Sequence, residues 1–216
     1  LDLNELAKNQ EFMAVSALEV SDDGNLLAYS TDNTGFRQYT LHVKDLITGR
    51  LLSDHADRVG SVVWANDNQT LLFTVEDEEQ KRQFQLYRHV IRTDHASDQL
   101  VYQEDDERFN LGVGRTRDRK YLVMEASSHT ASEQRFLAAD SPFADWTLIA
   151  PREDGLEYYI DHRYGLFYIR TNDTGRNFRL VTAAVTNSGR ATWREVLPHR
   201  AETMLEEVDL FSSFYV

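Results

Sequence analysis

The chain has 216 residues and a formal net charge of −13, because 36 Asp and Glu outnumber 23 Lys and Arg; this acidity disfavours nucleic acids and anionic membranes as partners, since phosphate binding needs clustered basic side chains. Apolar residues make up 41% of the chain, which excludes a wholly disordered protein, and the lack of an apolar run of about 18 residues excludes a spanning helix. There is no cysteine, which excludes disulfides, thiolate nucleophiles and cysteine-ligated metals.

The first predicted element is a short helix over residues 2–8. Asp2 is placed to cap its N-terminus, and Glu5 stands at the capping-box spacing. The helix precedes the first β segment, so we interpret residues 1–16 as a lead-in segment.

From residue 17 onward, four series of short β-type segments recur at intervals of about 45 to 50 residues. The predicted first strands are 17–20, 61–65, 111–115 and 158–162. The predicted second strands are 26–30, 71–75, 121–125 and 166–170. The predicted third strands are 39–46, 84–91, 134–140 and 178–185. The predicted fourth strands are 51–52, 100–102, 146–149 and 193–197. Turn residues rich in Asn, Asp and Gly separate them.

Four strands per repeat of this length is the period of a β-propeller blade. We therefore predict an all-β fold, a partial β-propeller over residues 17–216. Its four four-stranded blades span 17–54, 61–103, 111–151 and 158–198, and a fifth begins at 199–216, with its first strand or two at 208–216. The second strands are apolar at consecutive positions, which predicts burial on both faces.

Four blades are too few for a closed propeller, so we interpret the chain as a fragment of a longer protein. It begins at Leu1 and stops within an apolar run, and both ends look cut. An open set of blades leaves strands such as 26–30 and 166–170 covered on one side only. We expect the fragment to self-associate through blade faces or through 208–216.

Catalytic and metal-binding motifs are not found in the sequence. No glycine takes part in a Gly-x-Ser-x-Gly nucleophile elbow. Gly112-Val113-Gly114 lacks the rest of a dinucleotide-binding loop, and no histidine pair has the i, i+4 spacing of a helical metal site. Ser21-Asp22-Asp23-Gly24 is better explained as a hairpin turn than as a calcium loop. We therefore predict no catalytic residue, no cofactor-binding residue and no metal ligand in this chain.

The loops between second and third strands are dense in hydrogen-bonding side chains, above all at 127–133 and 171–177. One interpretation is local capping of the loops by their own side chains. The other is a polar rim that docks a partner domain or restricts substrate entry. The candidate residues for that second role are Arg37, His129, Glu133, Arg176 and Asn177.

Several of these segments resemble one family, the prolyl oligopeptidases, in the oligopeptidase B (protease II) branch. The resemblance lies in Val20-Ser21-Asp22-Asp23-Gly24-Asn25-Leu26-Leu27-Ala28-Tyr29-Ser30, in Asn110-Leu111-Gly112-Val113-Gly114-Arg115-Thr116, in Ser128-His129-Thr130-Ala131-Ser132-Glu133 and in Ile169-Arg170-Thr171-Asn172 with Asn177-Phe178-Arg179-Leu180. It extends over nearly all 216 residues.

The resemblance implies a serine peptidase that cuts short peptides after Arg or Lys. It also implies a seven-bladed propeller capping a C-terminal α/β-hydrolase domain, which would be the partner of this chain. The Ser, Asp and His of that family's triad belong to the hydrolase domain, which is absent here, so we expect the fragment alone to be non-catalytic. The acidity would then attract basic peptides, although solubility explains it equally well.

A rival interpretation is a non-enzymatic propeller that serves as a protein-interaction scaffold. Against it, no Gly-His or Trp-Asp signature recurs across the repeats. The lack of cysteine is compatible with a reducing compartment, so a cytoplasmic location is expected, with a periplasmic one left open.

Overall fold

A computed structural model describes residues 1–216 and contains sixteen β-strands, one α-helix and two 3-10 helices. The helix is α1 (Leu3–Leu6), and the 3-10 helices are His95–Ser97 and Arg190–Thr192. The first eight strands are β1 (Ala14–Val20), β2 (Leu26–Asp32), β3 (Thr40–Asp45), β4 (Leu51–Ala56), β5 (Val59–Trp64), β6 (Thr70–Glu76), β7 (Gln83–Val90) and β8 (Gln99–Gln103). The remaining eight are β9 (Asn110–Arg115), β10 (Tyr121–Ser127), β11 (Ser132–Ala138), β12 (Thr147–Ala150), β13 (Tyr158–Arg163), β14 (Leu166–Thr171), β15 (Arg179–Ala184) and β16 (Arg194–Leu197).

The strands form four antiparallel sheets of four consecutive strands each, with the sheet order equal to the chain order. We call these sheets blades one to four. Every strand series predicted from the sequence is confirmed, and the boundaries differ by a few residues at the strand ends. The predicted helix is confirmed over a shorter span: Asp2 accepts hydrogen bonds from the main-chain nitrogens of Asn4 and Glu5. None of the three short helices has the length or the apolar character of a membrane-spanning segment.

Tight turns join the first and second strands because each contains a residue with left-handed backbone. These residues are Gly24 (φ 74°), Asn68 (φ 57°), Arg119 (φ 63°) and Gly165 (φ 78°). Glycine and asparagine adopt this conformation at low cost, as the turn composition predicts. Arg119 takes this conformation in a turn that contains no glycine or asparagine, and Tyr164 (φ 50°) takes it beside Gly165.

The chain divides into two compact units, residues 1–107 with 111–113 and residues 108–110 with 114–216. In the first unit, blades one and two share a hydrophobic core. It is made by Leu26, Ala28, Leu41, Val43, Ala56, Val59, Val62, Trp64, Leu71, Phe73 and Ile91. Alternate residues of β2, β3 and β6 enter this core, because successive side chains of a strand point to opposite faces.

In the second unit, blades three and four share an aromatic core. The rings of Phe136 and Phe167 lie 4.6 Å apart in an edge-on arrangement, and Tyr121 packs edge-on against both. Tyr158 is fully buried beside them. Edge-to-face geometry of this kind adds roughly 0.5–1.5 kcal/mol per pair beyond the burial of apolar area.

Burial of the second strands on both faces is confirmed for blades one and two but is wrong for blades three and four. All residues of β2 and β6 are buried except one in each, whereas β10 and β14 alternate. In blade four, Phe167 and Ile169 belong to the aromatic core, while Leu166 is 37% exposed on the other face. Burial of both faces needs an apolar layer against each, and β14 has one against a single face.

This finding also corrects the expectation that residues 26–30 are covered on one side only. All five are buried, and the ring of Tyr29 packs 5.3 Å from the His42 ring of the neighbouring strand. The corresponding expectation for blade four agrees with the exposure of Leu166.

Residues 208–216, expected to supply the first strand of a fifth blade, contain no strand. A single bridge joins Leu210 to Tyr215, so the segment turns back on itself. A strand requires a hydrogen-bonded neighbour along its length, and the main-chain pairing of residues 208–216 lies within the segment itself. The fifth blade therefore stays a prediction.

Candidate functional site

The loops between second and third strands lie at one end of each blade, and in blade one a single carboxylate organises the loop. Asp32 Oδ1 accepts from the main-chain nitrogens of Thr34 and Gly35 and from the Thr34 hydroxyl, and Oδ2 accepts from the Arg37 nitrogen at 2.7 Å. Burial raises the pKa of Asp32, but these hydrogen bonds outweigh it and hold the pKa below its usual value. The loop is therefore pre-formed.

This loop presents Arg37 and Phe36 to solvent. Arg37 is exposed with φ 59°, and the Phe36 side chain is 65% exposed. Lys81, in the corresponding loop of blade two, donates to the Phe36 carbonyl oxygen and lies 5.8 Å from the centre of its ring. The Lys81 contact was not foreseen from the sequence, although the 45-residue separation between its partners equals the repeat interval.

In blade three, His129 and Glu133 belong to the same loop region but differ in environment. His129 is exposed, in a turn closed by the Ser128 nitrogen donating to the Ala131 carbonyl at 2.8 Å. Glu133 is buried and forms ion pairs with Arg135 at 2.8 Å and Arg152 at 3.6 Å. The Glu133 carboxylate is thus paired with partners inside blade three.

In blade four, Asn177 is likewise a structural residue. Its Nδ2 donates to the carbonyl oxygens of Arg200 (2.9 Å) and Ala201 (2.7 Å), and its own carbonyl accepts from the Leu205 nitrogen (2.9 Å). Asn177 therefore fastens the segment after β16 to blade four. Arg176, its neighbour, is exposed.

A bidentate ion pair rigidifies the same loop. Arg179 donates from Nε and Nη2 to the two carboxylate oxygens of Asp173, at 2.7 and 2.9 Å, and from Nη1 to Glu195 at 3.0 Å. The hydrogen bonds to Asp173 raise the pKa of Arg179. Fork-to-fork pairs of this geometry fix orientation as well as charge, and the sequence did not single out Arg179.

No hydrogen bond or ion pair joins the His129–Glu133 loop to the Arg176–Asn177 loop. Of the five candidates, Arg37, His129 and Arg176 are exposed at loop positions, whereas Glu133 and Asn177 serve the internal structure. Local use of polar side chains is therefore observed for Glu133 and Asn177, and the role of the three exposed residues stays a prediction. No group of three or more His, Asp or Glu side chains is arranged to hold a metal ion.

Blade two holds a buried acid at the same end. Glu76, the last residue of β6, is 7% exposed, and its Oε1 has no hydrogen-bond partner. Burial raises its pKa, against the opposing charges of Lys81 and Arg58. Gln83 Oε1 is also buried without a partner, and its amide occupies the space that a side chain at Gly60 would fill.

Two cavities in the second unit lie where the segment after β16 packs on blade four. One of about 320 Å³ is lined by Tyr168, Arg170 and Glu206 among others. The other, of about 400 Å³, is lined by Arg163 and Phe211 among others. Neither cavity contains any of the five candidate residues.

Comparison with known proteins covers the whole chain. The family model described as prolyl oligopeptidase, N-terminal beta-propeller domain, matches residues 1–216. The chain is 38% identical to dipeptidyl aminopeptidase BI of Pseudoxanthomonas mexicana, over 100% of the chain and 30% of that protein. It is 33% identical to Protease 2 of Moraxella lacunata, over 96% of the chain and 30% of that protein.

Solved structures show the same fold. Oligopeptidase B from Trypanosoma brucei, with covalently bound antipain, superposes with a TM-score of 0.88 at 26% identity, over 100% of this chain and 30% of that one. Oligopeptidase B from Leishmania major superposes with a TM-score of 0.87 at 23% identity, over 93% and 28%. The four sheets are therefore propeller blades, and the chain spans about 30% of the length of these relatives.

Proposed function

Because this chain belongs to the prolyl oligopeptidase N-terminal β-propeller family, we propose that it is the propeller part of a serine peptidase that hydrolyses short peptides after Arg or Lys. The match of the family model to residues 1–216 carries this proposal. The catalytic Ser, Asp and His would lie in a C-terminal α/β-hydrolase domain, which would be the partner of the propeller. The chain by itself would hydrolyse nothing.

Specificity for basic residues is supported by the kinship with Protease 2 and with oligopeptidase B. The net charge of −13 supports it independently. An acidic surface raises the local concentration of cationic peptides and increases their rate of capture, and salt screens this effect. Solubility remains the competing explanation for the charge.

A gating role for the propeller would rest on the exposed side chains of Arg37, His129 and Arg176. They stand on loops held by buried anchors, Asp32 for the first loop and Asp173 with Arg179 for the last. Anchored loops hold exposed side chains at low entropic cost. Short basic peptides would pass these residues before reaching the hydrolase domain.

A second candidate activity is the removal of dipeptides from a free N-terminus. It is favoured by the 38% identity with dipeptidyl aminopeptidase BI. The scaffold interpretation has less support, because the matched relatives are peptidases by name. We also propose a cytoplasmic location, on the lack of cysteine alone.

The deciding experiment compares two fluorogenic substrates with the full-length protein that contains this chain. One is an N-terminally blocked peptide with Arg before the reporter, and the other is a free-amine dipeptide reporter. Turnover of the blocked peptide that is abolished by an active-site serine reagent would support the endopeptidase, and turnover of the free-amine substrate alone would support the aminopeptidase. Turnover of neither would overturn both.

Charge steering and the non-catalytic character of the chain have separate measurements. Steering predicts that kcat/KM for the Arg substrate falls as salt is raised from about 0.01 to 1 M, over which the Debye length shrinks from about 30 to 3 Å. A kcat/KM that is indifferent to salt would eliminate steering. Turnover by residues 1–216 alone that survives a serine reagent would contradict the assignment of catalysis to another domain.

A further inference from the structure

Three buried side chains join the outer part of blade one to that of blade two. Asp54 lies on β4, His89 on β7, and Asp98 directly after the 3-10 helix His95–Ser97. His89 Nε2 is 2.9 Å from Asp54 Oδ1, and His89 Nδ1 is 2.5 Å from Asp98 Oδ1. The side chains of His89, Asp54 and Asp98 are 5%, 1% and 4% exposed. Water therefore has almost no access to either contact.

The two contacts require two protons. A neutral imidazole carries one N–H and one bare nitrogen lone pair, and an ionised carboxylate only accepts. With a single proton, one carboxylate oxygen would face a nitrogen lone pair at hydrogen-bond distance, which is repulsive. We infer that His89 is an imidazolium cation that donates to both carboxylates, and that Asp54, His89 and Asp98 form a proton-dependent latch between blades one and two.

The neighbouring charges are consistent with this assignment. Asp98 Oδ2 contacts His95 Nδ1 at 2.6 Å, and the His95 ring lies 6.1 Å from that of His55, the residue after Asp54. Arg92 donates its main-chain N–H to Asp54 Oδ1, while its guanidinium turns to Asp45 at 3.5 Å. The other oxygen of Asp54 has no partner. No other cationic side chain contacts Asp54, so its compensating charge comes from His89.

The latch depends on pH in a defined direction. Buried carboxylates are tolerated when they are paired and become costly when their partner loses its charge. Loss of the second proton from His89 leaves two buried carboxylates sharing one N–H. The latch is therefore closed while His89 carries both ring protons. It weakens as pH rises.

His162 in blade four provides an internal comparison for the ring protonation of His89. It is also buried, and its Nδ1 lies 2.7 Å from Asp118 Oδ2. Its Nε2, however, accepts the main-chain N–H of Gly165 at 3.0 Å. An acceptor nitrogen carries no proton, so His162 is neutral, with its single proton on Nδ1. Two buried histidines in one chain thus have opposite protonation states for reasons of geometry alone.

Nitrogen NMR of the imidazole rings in residues 1–216 tests the inference directly. At about pH 8, above the ordinary histidine pKa of about 6.5, His89 should show two protonated ring nitrogens, and His162 one protonated and one bare. A bare nitrogen on His89 would overturn the inference.

The variant Asp98→Asn provides a second test of the protonation of His89. An asparagine amide at position 98 can donate to His89 Nδ1 while its oxygen accepts from His95, so the cluster is satisfied with neutral His89. We expect one bare nitrogen on His89 in this variant. If the variant does not fold, the wild-type spectrum still decides the question.

Hydrogen exchange measures the latch itself. In the wild type, the equilibrium constant for opening β4 should rise with pH, by up to about tenfold per pH unit if opening releases one proton. In Asp98→Asn this dependence should vanish. A wild-type opening constant that is independent of pH, or an unchanged dependence in the variant, would contradict the latch.

Discussion

The indole Nε1 of Trp64 donates a 2.9 Å hydrogen bond to the main-chain carbonyl oxygen of Glu19, which lies 45 residues earlier in the chain. The same interval separates Asp23 from Asn68, where the main-chain nitrogen of Asp23 donates to Asn68 Oδ1 at 3.0 Å. Equivalent positions of successive blades therefore contact each other, since the repeat that defines the blades in sequence also defines their contacts in space. The blade-to-blade junction in the first unit is polar as well as hydrophobic.

Replacing Trp64 by Phe should lower the free energy of unfolding by about 1–3 kcal/mol. The indole is 1% exposed, so the change leaves a small cavity and removes the donor to Glu19, and lost buried hydrogen bonds and filled volume have costs of this size. Urea unfolding followed by circular dichroism measures the difference. A variant as stable as the wild type would show that this junction contributes nothing.

Replacing Tyr158 by Phe should be costly in the second unit. The Tyr158 hydroxyl donates to the Ala150 carbonyl at 2.6 Å and accepts from the nitrogens of Gln134 and Ala150 at 2.9 and 3.1 Å. Its removal leaves two buried N–H groups without that partner, which costs about 1–3 kcal/mol for each unsatisfied group. The same urea titration measures the loss, and a difference below about 0.5 kcal/mol would contradict the role assigned to the hydroxyl.

The raised pKa of Tyr158 should also make the stability of the protein depend on pH in the alkaline range. Burial raises the pKa of Tyr158 to about 12, whereas an unfolded tyrosine titrates near 10. The unfolded chain therefore loses a proton that the native protein keeps, so this contribution to stability declines as pH rises from about 10 to 12. The wild type should lose stability faster than Tyr158→Phe over the accessible part of this range, and parallel curves would refute the assignment.

Glu76→Gln should stabilise the protein at neutral pH by about 1 kcal/mol. Burial raises the pKa of Glu76, so the native protein keeps the Glu76 proton to a higher pH than the unfolded chain does. The stabilisation that this proton provides is lost as pH rises from the pKa of the unfolded chain through the raised pKa of the native state. A glutamine amide needs no proton and can donate to the unpartnered Gln83 Oε1. Glu78→Gln, at a side chain 83% exposed in the following loop, is the control and should stay within about 0.5 kcal/mol of wild type. Destabilisation by Glu76→Gln at neutral pH would contradict the prediction.

Asn177→Ala should loosen the segment that follows β16. Its two donated bonds to the Arg200 and Ala201 carbonyls disappear, at a cost of about 1–2 kcal/mol. We expect faster proteolysis within residues 199–205, compared with the wild type. Arg176→Ala, at the exposed neighbouring position, should not change the digestion rate. Equal digestion rates for the two variants would show that Asn177 does not hold the segment after β16 on blade four.

Self-association of residues 1–216 is expected from the exposed apolar side chains of the last segment. Phe214 is 52% and Val216 76% exposed, and contiguous exposed apolar surface promotes association. Sedimentation velocity at increasing concentration should show a dimer or larger species, and Phe214→Ser should weaken it. A monomer at the highest concentration tested would contradict this prediction.

The fold could be predicted from sequence because its signals are local. The apolar strand cores and the turn residues each depend on neighbours within a few positions, and their recurrence every 45 to 50 residues can be read directly from the chain. Asp2 at the helix start and the Asn68 turn behave as their residue types predict. The site was less predictable: Glu133 and Asn177 share polar character with Arg176, yet Glu133 also pairs with Arg152 and Asn177 donates to Arg200 and Ala201, which lie about 20 or more residues along the chain.

The order of the residues specifies the kind of structure: strands of given length, in a given order, repeated four times, with polar loops at the ends. The packing of the sheets determines which polar groups pair with one another. Glu133 is paired and His129 exposed, and His89 faces two carboxylates where His162 faces one. Strand formation follows from backbone preferences within a segment, whereas pairing and protonation depend on distances between segments, and those distances exist only once the sheets have packed.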